Sequence, residues 1–347
     1  MATAALTLPL PVRTLARHLT PLVLLGARAA LTLLLVLLIA FGLTRLAYRN
    51  PAAMLAPRNA TQESIDAIAR SLGLNEPWYR QLWGYLFRGP DIQGAPMGLF
   101  HWPPALGYSF RKQAPVTDLI LSKVHVTLSL ALGALVIWML ISILTGVIAA
   151  RRPGSWTDRV LAIGAYAGLS VPTFLSGILL SYFLFYQLTG IGLRWFPSSG
   201  YKALTRDPFE WARHLFLPWL TLALAEIGLF QRIVRGSMLD VLGEDFIRTA
   251  RAKGVSENRV YFDHALSVAI NPVITLAGLE LGALMGGAIV TETIFGLDGV
   301  GRLAIGAALD GDFPVVIGTT IFAAAAFVVC TFTVDAIAML RDPRRRA

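Results

Sequence analysis

The chain has 347 residues, of which 55% are hydrophobic and only 15% are charged, and its mean hydropathy is +0.62. A soluble domain carries about 25% charged residues, so this composition places the chain in the membrane class. The formal net charge of +9 does not indicate nucleic-acid binding, because the charges fall mainly in the connections between apolar runs. The single cysteine, Cys330, excludes an intrachain disulfide.

Six apolar runs have the length and composition of membrane-spanning helices, each of which needs about 20 apolar residues. We predict spans at 28–47, 124–150, 160–189, 214–231, 269–290 and 313–340. No small-residue cleavage site follows the first run, which predicts a retained anchor and not a removed signal peptide. Pro172 predicts a kink or an interruption in the third run.

The connection at 48–120 is the longest one between two predicted spans. Its sequence "TQESIDAIARSLGLNEPWYRQLWGYLFRG" predicts two helices, with Thr61 as an N-cap, Gly73 as a stop and Pro77 as a restart. A loop rich in proline, glycine and aromatic residues follows. The fold class predicted here is therefore an all-α polytopic membrane protein with six transmembrane helices and a small helical segment between spans 1 and 2.

The distribution of basic residues predicts the direction of insertion. Four segments are compared with the rest of the chain: the N-terminal tail (1–27, counted through Arg28), the short loop 151–159, the loop 232–265 and the C-terminal tail (341–347). Together they carry 16 of the 30 Lys and Arg residues but only 7 of the 21 Asp and Glu residues. The remainder of the chain carries 14 of each. By the positive-inside rule, both termini are cytoplasmic, and 48–120 and 291–312 are extracytoplasmic.

Sequence signatures of several enzyme classes are absent from the chain. It contains no G-x-x-x-x-G-K-[ST] phosphate loop, no H-E-x-x-H and no G-x-S-x-G motif. Its five histidines are scattered, without metal-ligand spacing. Transport, channel and anchoring functions therefore remain.

The basic segment "GEDFIRTARAKGVSENRV" at 243–260 has the pattern of a short helix, a tight turn and a second helix. Acidic residues open the first helix and basic residues close it, as the helix dipole favours. Gly254 stands where a left-handed C-cap glycine belongs, and Ser256 can cap the second helix. Ile247, Ala250 and Gly254 share one face (i, i+3, i+7), which is flat enough for another surface to approach closely and is the predicted outward face. The segment fits either an ordinary orientation loop or a docking site for a soluble partner.

A family resemblance favours the docking interpretation. The stretch "DFIRTARAKGVSENRVYFDHALSVAINPVI" resembles the cytoplasmic coupling segment of the permease subunits of dipeptide, oligopeptide and nickel ABC importers, in which "TARAKG" is a form of the loop named for its Glu-Ala-Ala start. Here Arg248 occupies the Glu position, Gly254 is kept and Pro272 matches the later proline. The resemblance is to the type of chain that fills the first of the two permease roles.

The resemblance extends over nearly the whole chain. "SVPTFLSGILL" is similar to the family's third span, and "LPWLTLALAEIGLFQRIVRGSMLDVL" is similar to the fourth. "VTETIFGLDGVGRLAIGAALDGDFPVV" resembles the region after the fifth span, although Asp298 replaces the usual proline. Residues 89–106 form an insertion relative to the family pattern.

The resemblance implies a type I ABC importer permease fold and a set of partners. These are a second homologous permease subunit, two ATPase subunits that bind ATP and Mg²⁺, an extracytoplasmic substrate-binding protein and the lipid of the bacterial inner membrane. The chain itself would hold no cofactor, no metal and no catalytic residue. The residues expected to couple to an ATPase are Asp245, Arg248, Thr249, Ala250, Arg251, Ala252, Lys253 and Gly254.

Acidic residues inside spans are candidates for the substrate pathway. Glu226 and Glu280 are predicted to contact the ammonium group of a peptide or to line a polar pore, with a hydrogen-bonded helix contact as the structural alternative. Glu292 is predicted to pin the turn after the fifth span.

The function expected from the resemblance is the permease subunit of a peptide importer that forms half of the translocation pore. Two alternatives remain open at this point: a permease for nickel or another small solute, and a secondary transporter driven by an ion gradient. An anchor or receptor without transport activity is a further class.

Overall fold

The computed structural model describes residues 10–47, 52–53, 56–57, 59–88, 98–100, 104–197 and 199–341. The predicted tails and the predicted insertion lie partly outside these residues. Within the described ranges, six helices are long and apolar enough to cross a membrane: Gly26–Ala47, Val116–Arg151, Thr173–Gly190, Pro208–Leu242, Glu257–Met285 and Phe313–Ala338. The predicted all-α class with six spans is confirmed.

The long helices are α1 (Leu10–Ala47), α4 (Val116–Arg151), α6 (Thr173–Gly190), α7 (Pro208–Leu242), α9 (Glu257–Met285) and α12 (Phe313–Arg341). The shorter helices are α2 (Gln62–Ser71), α3 (Trp78–Trp83), α5 (Trp156–Ser170), α8 (Asp245–Ala252), α10 (Ile289–Ile294) and α11 (Val300–Asp310). Turns of π-helix lie at Gly84–Arg88 after α3, at Ser181–Gln187 in α6 and at Val260–Ala265 in α9.

Helices α4 and α7 form the central pair of the bundle, and small residues allow them to approach closely. A Cβ atom at Gly133 would overlap the ring of Trp219, and one at Gly146 would lie 2.6 Å from Val234 Cγ1. The indole Nε1 of Trp219 donates a hydrogen bond of 2.9 Å to the Ser129 carbonyl. Close backbone contact and interhelical hydrogen bonds are what hold helices together in lipid, where hydrophobic burial contributes little.

Close packing at glycines recurs at two further helix contacts. Helix α5 packs on α7, where the glycines Gly168 and Gly228 face backbone carbonyls of the other helix. Helices α9 and α12 form a second pair, in which Gly278 lies against Val334 and Gly282 lies against Phe327. The helix contacts therefore lie at particular glycines, which a hydropathy profile does not distinguish from the other glycines of the spans.

The predicted third span, 160–189, is two helices. Helix α5 ends at Ser170, Val171 has an extended backbone (φ −93°, ψ 120°), and Pro172 caps the start of α6. The predicted interruption at Pro172 is confirmed, because the residue before a proline is pushed out of the helical region. The candidate span is α6 alone, with 18 residues.

Other predicted boundaries differ from the observed helix ends. Helix α1 begins at Leu10, although its candidate membrane span, Gly26–Ala47, lies close to the predicted 28–47. Helix α4 begins at Val116 and not at 124, and α7 extends beyond 214–231 at both ends. The predicted spans follow the apolar runs, whereas the helices continue through polar and charged residues at the membrane boundary. The predicted fifth span, 269–290, is also wrong at its end, because α9 stops at Met285 and Gly287 has φ +107°.

The connection after the first span contains the two predicted helices, α2 and α3. Thr61 Oγ1 accepts a hydrogen bond from the Ser64 backbone NH, and Gly73 has φ +63°, as an N-cap and a stop require. A two-residue antiparallel ladder pairs Tyr108–Ser109 with Ala114–Pro115, which the sequence did not predict. We call these two paired strands the hairpin and the end of the bundle at which they lie the hairpin end. The opposite end, where α8 lies, is the α8 end.

We predict that Gly146→Ala destabilises the protein. Its methyl group would meet Val234 and, at 3.0 Å, the backbone oxygen of Gln231, and overpacking of this kind costs about 1–3 kcal/mol. Thermal unfolding of the purified protein in detergent measures the effect. Gly236→Ala is the matched control, because a Cβ there meets nothing within 4 Å. Equal unfolding temperatures for the two variants would contradict the proposed α4–α7 contact.

Candidate functional site

Helix α8 is a short, charged helix at the α8 end of the bundle. Asp245 opens it, Arg248 Nη1 lies 3.0 Å from Asp245 Oδ1, and Thr249 Oγ1 donates to the Asp245 carbonyl at 2.9 Å. These contacts join the first two turns. Because the Arg248 and Asp245 side chains are 72% and 93% exposed, this ion pair contributes little stability, and both groups remain accessible.

The end of α8 is a Schellman motif built on a glycine. Gly254 has φ +77°, its NH bonds to the Arg251 carbonyl at 2.9 Å, and the Val255 NH bonds to the Ala250 carbonyl at 3.2 Å. A left-handed residue at this position is predicted correctly from the sequence. Ser256 occupies the predicted N-cap position of the next helix but makes no side-chain capping hydrogen bond. The turn fixes the angle between α8 and α9.

The face of α8 that points outward differs from the predicted one. Ile247 is completely buried, because it packs into the main hydrophobic core of the bundle. Ala250 is half-buried beside it, whereas Asp245, Arg248, Thr249 and Ala252 are exposed. The face shared by Ile247 and Ala250 therefore anchors α8 to its own chain. The exposed face has the spacing i, i+3, i+4, i+7 and carries one alanine.

The Arg251 guanidinium forms its ion pair within its own chain. Its Nε and Nη2 atoms donate to the Glu257 carboxylate at 2.9 and 3.2 Å, across the Gly254 turn. This hydrogen bonding raises the pKa of the Arg251 guanidinium above its ordinary value. The bidentate contact stiffens the turn, so Arg251 is less available to a partner than Arg248 and Lys253 are.

The end of α4 is tied to the start of α9. The Arg151 guanidinium donates to the Asn258 side chain and lies over the rings of Tyr261 and Phe262, 5.0 and 5.6 Å from their centroids. The Tyr261 hydroxyl donates to the Arg151 carbonyl at 3.5 Å. The segment that carries α8 is thus held on both sides, because α7 leads into it and the end of α4 contacts the start of α9, which follows it.

A buried ion pair fixes the short loop before α5. Asp158 is 5% exposed, and its carboxylate oxygens lie 2.7 and 2.8 Å from Nε and Nη2 of Arg235 on α7. The Gly154 backbone NH donates to Asp158 Oδ2 at 2.8 Å. The hydrogen bonds from Arg235, opposed by burial, hold the pKa of the Asp158 carboxyl below its ordinary value. Both charges are therefore fully formed at neutral pH.

Sequence reasoning missed this ion pair and treated the loop only as an orientation signal. A local signal for Asp158 was present, since Ser155-x-x-Asp158 has the spacing of a capping box, and Ser155 Oγ indeed accepts from the Asp158 NH. The partner Arg235 lies 77 residues away. No local pattern identifies it.

The two acidic residues predicted for the substrate pathway lie near one another. Glu226 on α7 and Glu280 on α9 are both half-buried and are close enough for their charges to interact. Helices α7 and α9 pack together. The structure therefore brings these residues together, and their role in a pathway stays a prediction.

At the hairpin end, Glu292 is completely buried and closes the turn before α11. Thr127 Oγ1 donates to Glu292 Oε1 at 2.8 Å, and the Arg302 NH donates to Oε2 at 2.8 Å. Burial raises the pKa of the Glu292 carboxyl, and these hydrogen bonds partly offset the rise. The expected pinning role matches this geometry. The exposed Asp298, which replaces a proline of the family pattern, forms an ion pair with Lys123.

A second buried acid joins the hairpin to the start of α12. Asp312 is 2% exposed and accepts hydrogen bonds from Ser109 Oγ and from the backbone NH groups of Phe110 and Arg111. Burial raises the pKa of the Asp312 carboxyl, and these hydrogen bonds oppose the rise. Buried acids with specific hydrogen-bond donors therefore lie near both ends of helix α4, Glu292 and Asp312 at the hairpin end and Asp158 at the α8 end.

The fold and the α8 segment define a multi-pass membrane protein with an exposed helix anchored against its bundle. The family described as "binding-protein-dependent transport system inner membrane component" matches residues 142–347, and its N-terminal companion matches residues 19–131. The chain belongs to this family and is an importer permease subunit of the inner membrane.

Relatives match the chain over nearly its whole length. A peptide transport system permease protein of Brucella abortus is 39% identical and covers 92% of this chain and 96% of its own. The oligopeptide transport system permease protein AppB of Bacillus subtilis is 35% identical, over 90% of this chain and 94% of its own. The glutathione transport system permease protein GsiC of Escherichia coli is 34% identical, over 91% and 95%.

We predict that Asp158→Asn destabilises the protein. The change removes the charge-assisted hydrogen bonds to Arg235, whose side chain is 30% exposed, and the loss of such a bond costs about 1.5–3 kcal/mol. Thermal unfolding at pH 7 measures this loss. Asp240→Asn is the matched control, because Asp240 is an exposed residue of α7, and we expect it to unfold like the unmodified protein.

The pH dependence of stability checks the same ion pair. Because the folded pKa of Asp158 is lowered, its stabilisation is complete above the unfolded value of about 3.9 and is lost as pH falls through the folded value. The difference between Asp158→Asn and the unmodified protein should therefore shrink below about pH 3.9. A difference that stays constant from pH 7 to pH 3 would show that the pair does not stabilise the fold.

Proposed function

We propose that the chain is the permease subunit of an ATP-driven peptide importer and that α8 docks in a groove of an ATPase subunit. The observation that carries the proposal is the geometry of α8. It presents an exposed face of Asp245, Arg248, Thr249 and Ala252 while Ile247, on the opposite side, is completely buried in the core. A helix held in this way can transmit a displacement to the spans.

The exposed face of α8 is suited to a helix-in-groove contact. Ala252 is a small exposed residue that allows a partner surface to approach, and Arg248 and Lys253 present charges to acidic groups. The predicted coupling residues Asp245, Arg248, Thr249, Arg251, Ala252, Lys253 and Gly254 are exposed, and Ala250 is half-buried. Of these, Arg251 would act mainly by holding the turn through Glu257.

The proposed assembly contains a second homologous permease, two ATPase subunits and an extracytoplasmic binding protein. In this arrangement both termini and α8 are cytoplasmic, as the excess of basic residues in 151–159 and 232–265 supports. The hairpin end then faces the binding protein. ATP and Mg²⁺ would bind only to the ATPase subunits, because the chain has no phosphate-loop sequence.

The peptide substrate is supported by the relatives in Brucella and Bacillus, which are named for peptide and oligopeptide transport. The glutathione permease of Escherichia coli is named for a small peptide as well. Glu226 and Glu280 place two carboxyl groups near one another on two packed helices, α7 and α9. They are proposed to face the pathway and to favour the ammonium group of a peptide.

We predict that Ala252→Trp abolishes co-purification of the ATPase subunits without changing the amount of protein in the membrane. The bulky ring would stand on the exposed face of α8, where it blocks a close-fitting groove but disturbs no internal contact. Affinity purification from solubilised membranes measures the effect. Thr157→Trp is the control, because Thr157 is exposed on α5 at the same end of the bundle. If Ala252→Trp still binds the ATPases and supports uptake, α8 is not the docking element.

We predict ATP-dependent uptake of short peptides by the complete complex reconstituted in vesicles. A panel of di-, tri- and pentapeptides, with nickel as a competing substrate, measures this directly. Uptake of nickel alone would replace the peptide proposal with the metal alternative. Uptake by the purified chain without ATPase subunits, driven by an ion gradient, would overturn the importer assignment as a whole.

A further inference from the structure

A cavity of about 860 Å³ lies at the hairpin end, away from α8 and from the acidic pair on α7 and α9. Helices α2 and α3 form its outer wall. The ends of α1 and α12 that meet at the hairpin form its inner wall. Cavities that hold small molecules have volumes of about 300–1,000 Å³, so this space can hold a molecule of considerable size.

The inner wall is apolar and belongs to the membrane spans. Phe41 lies six residues before the end of α1, which places it about 9 Å below that end at 1.5 Å per residue. Phe313 and Ile317 lie in the first turns of α12. Leu38, which lies three residues before Phe41 and therefore on a neighbouring part of the same helix face, is exposed. The cavity thus adjoins apolar surface of α1.

The outer wall is basic and aromatic. Arg70, Arg80 and Arg88 line it together with a single acid, Glu76. Within the described part of the chain, neither Arg80 nor Arg88 has a carboxylate within ion-pair distance, whereas Arg70 Nε donates to the Asp66 carbonyl at 3.3 Å. Two guanidinium groups therefore remain available to a ligand.

Two aromatic side chains share the outer wall with the arginines. Tyr79 and Trp83 line the cavity and are 55% and 60% exposed. Tyrosine and tryptophan are enriched at the level of lipid headgroups. The cavity therefore offers an apolar inner wall and an aromatic and cationic outer wall, which suit the acyl chain and the phosphate headgroup of a phospholipid.

We propose that this cavity is a binding site for an anionic phospholipid. Arg80 and Arg88 bind the phosphate, and an acyl chain lies against the apolar inner wall and along Leu38 of α1. A free phosphate would use the arginines but not the apolar wall, and a neutral lipid would use the wall but not the arginines. The bound lipid would join α2 and α3 to the ends of α1 and α12.

Native mass spectrometry of the purified full-length protein, with the subunits that accompany it, tests this proposal. The probes are phosphatidylglycerol and phosphatidylcholine with identical acyl chains. We expect tighter binding of phosphatidylglycerol. Arg80→Gln and Arg88→Gln should each weaken it about fivefold, since one basic residue near an anionic lipid contributes about 1 kcal/mol. Arg206→Gln is the matched control, because Arg206 is exposed and does not line the cavity.

Thermal unfolding of each variant confirms that it is folded before its lipid binding is compared. Equal affinity for the two lipids, or equal loss in Arg206→Gln and Arg88→Gln, would overturn the proposal. Displacement of the lipid by inorganic phosphate at the same concentration would identify a phosphate site instead, and displacement by a transported peptide would identify a substrate site. The expected result is independent of ATP-driven uptake, so it does not rest on the proposed transport function.

Discussion

The close contact between α4 and α7 is the constraint on which the rest of the bundle depends. Helices in a bilayer gain little from hydrophobic burial against one another, so their association requires tight packing and interhelical hydrogen bonds. Gly133 and Gly146 supply the packing, and the Trp219 indole supplies a hydrogen bond to the Ser129 carbonyl. Helix α5 packs directly on α7, and α9 contacts both members of the pair.

The α8 segment is an extension of this central pair and not an independent loop. Ile247 enters the core, Arg151 joins the end of α4 to α9, and the Gly254 turn sets the angle between α8 and α9. The ion pair between Asp158 and Arg235 fixes the neighbouring loop to α7. A force on α8 would therefore act on α4, α7 and α9 together, which favours movement of the spans as rigid bodies.

Local sequence patterns predicted the features that depend on local backbone chemistry. Thr61, Gly73, Pro172 and Gly254 occupy the cap, stop, interruption and turn positions that their side chains favour. The side of α8 that faces inward was not predicted, because α8 carries two adjacent large apolar residues, Phe246 and Ile247, of which only Ile247 is buried while Phe246 is 44% exposed. Ile247 was assigned to an outward face although it is the buried residue of the helix.

Features that depend on distant residues were also missed. The partner of Asp158 lies 77 residues along the chain, and the hairpin is held by Asp312, about 200 residues from Ser109. The ends of the long helices could not be located from hydropathy alone, because α4 and α7 continue as helices past their apolar runs. Hydropathy indicates where a helix meets lipid, whereas caps and tertiary contacts decide where it ends.

The buried acids join distant parts of the chain at both ends of the bundle. At the hairpin end, Glu292 accepts hydrogen bonds from Thr127 of α4 and from the Arg302 backbone NH, so it ties the turn before α11 to a long helix. Asp312 ties the start of α12 to the hairpin through Ser109 and Phe110. At the α8 end, Asp158 is held by the Arg235 guanidinium, so it ties the start of α5 to α7. Because the connections at both ends are held to long helices, a displacement that enters at α8 would be carried into the spans.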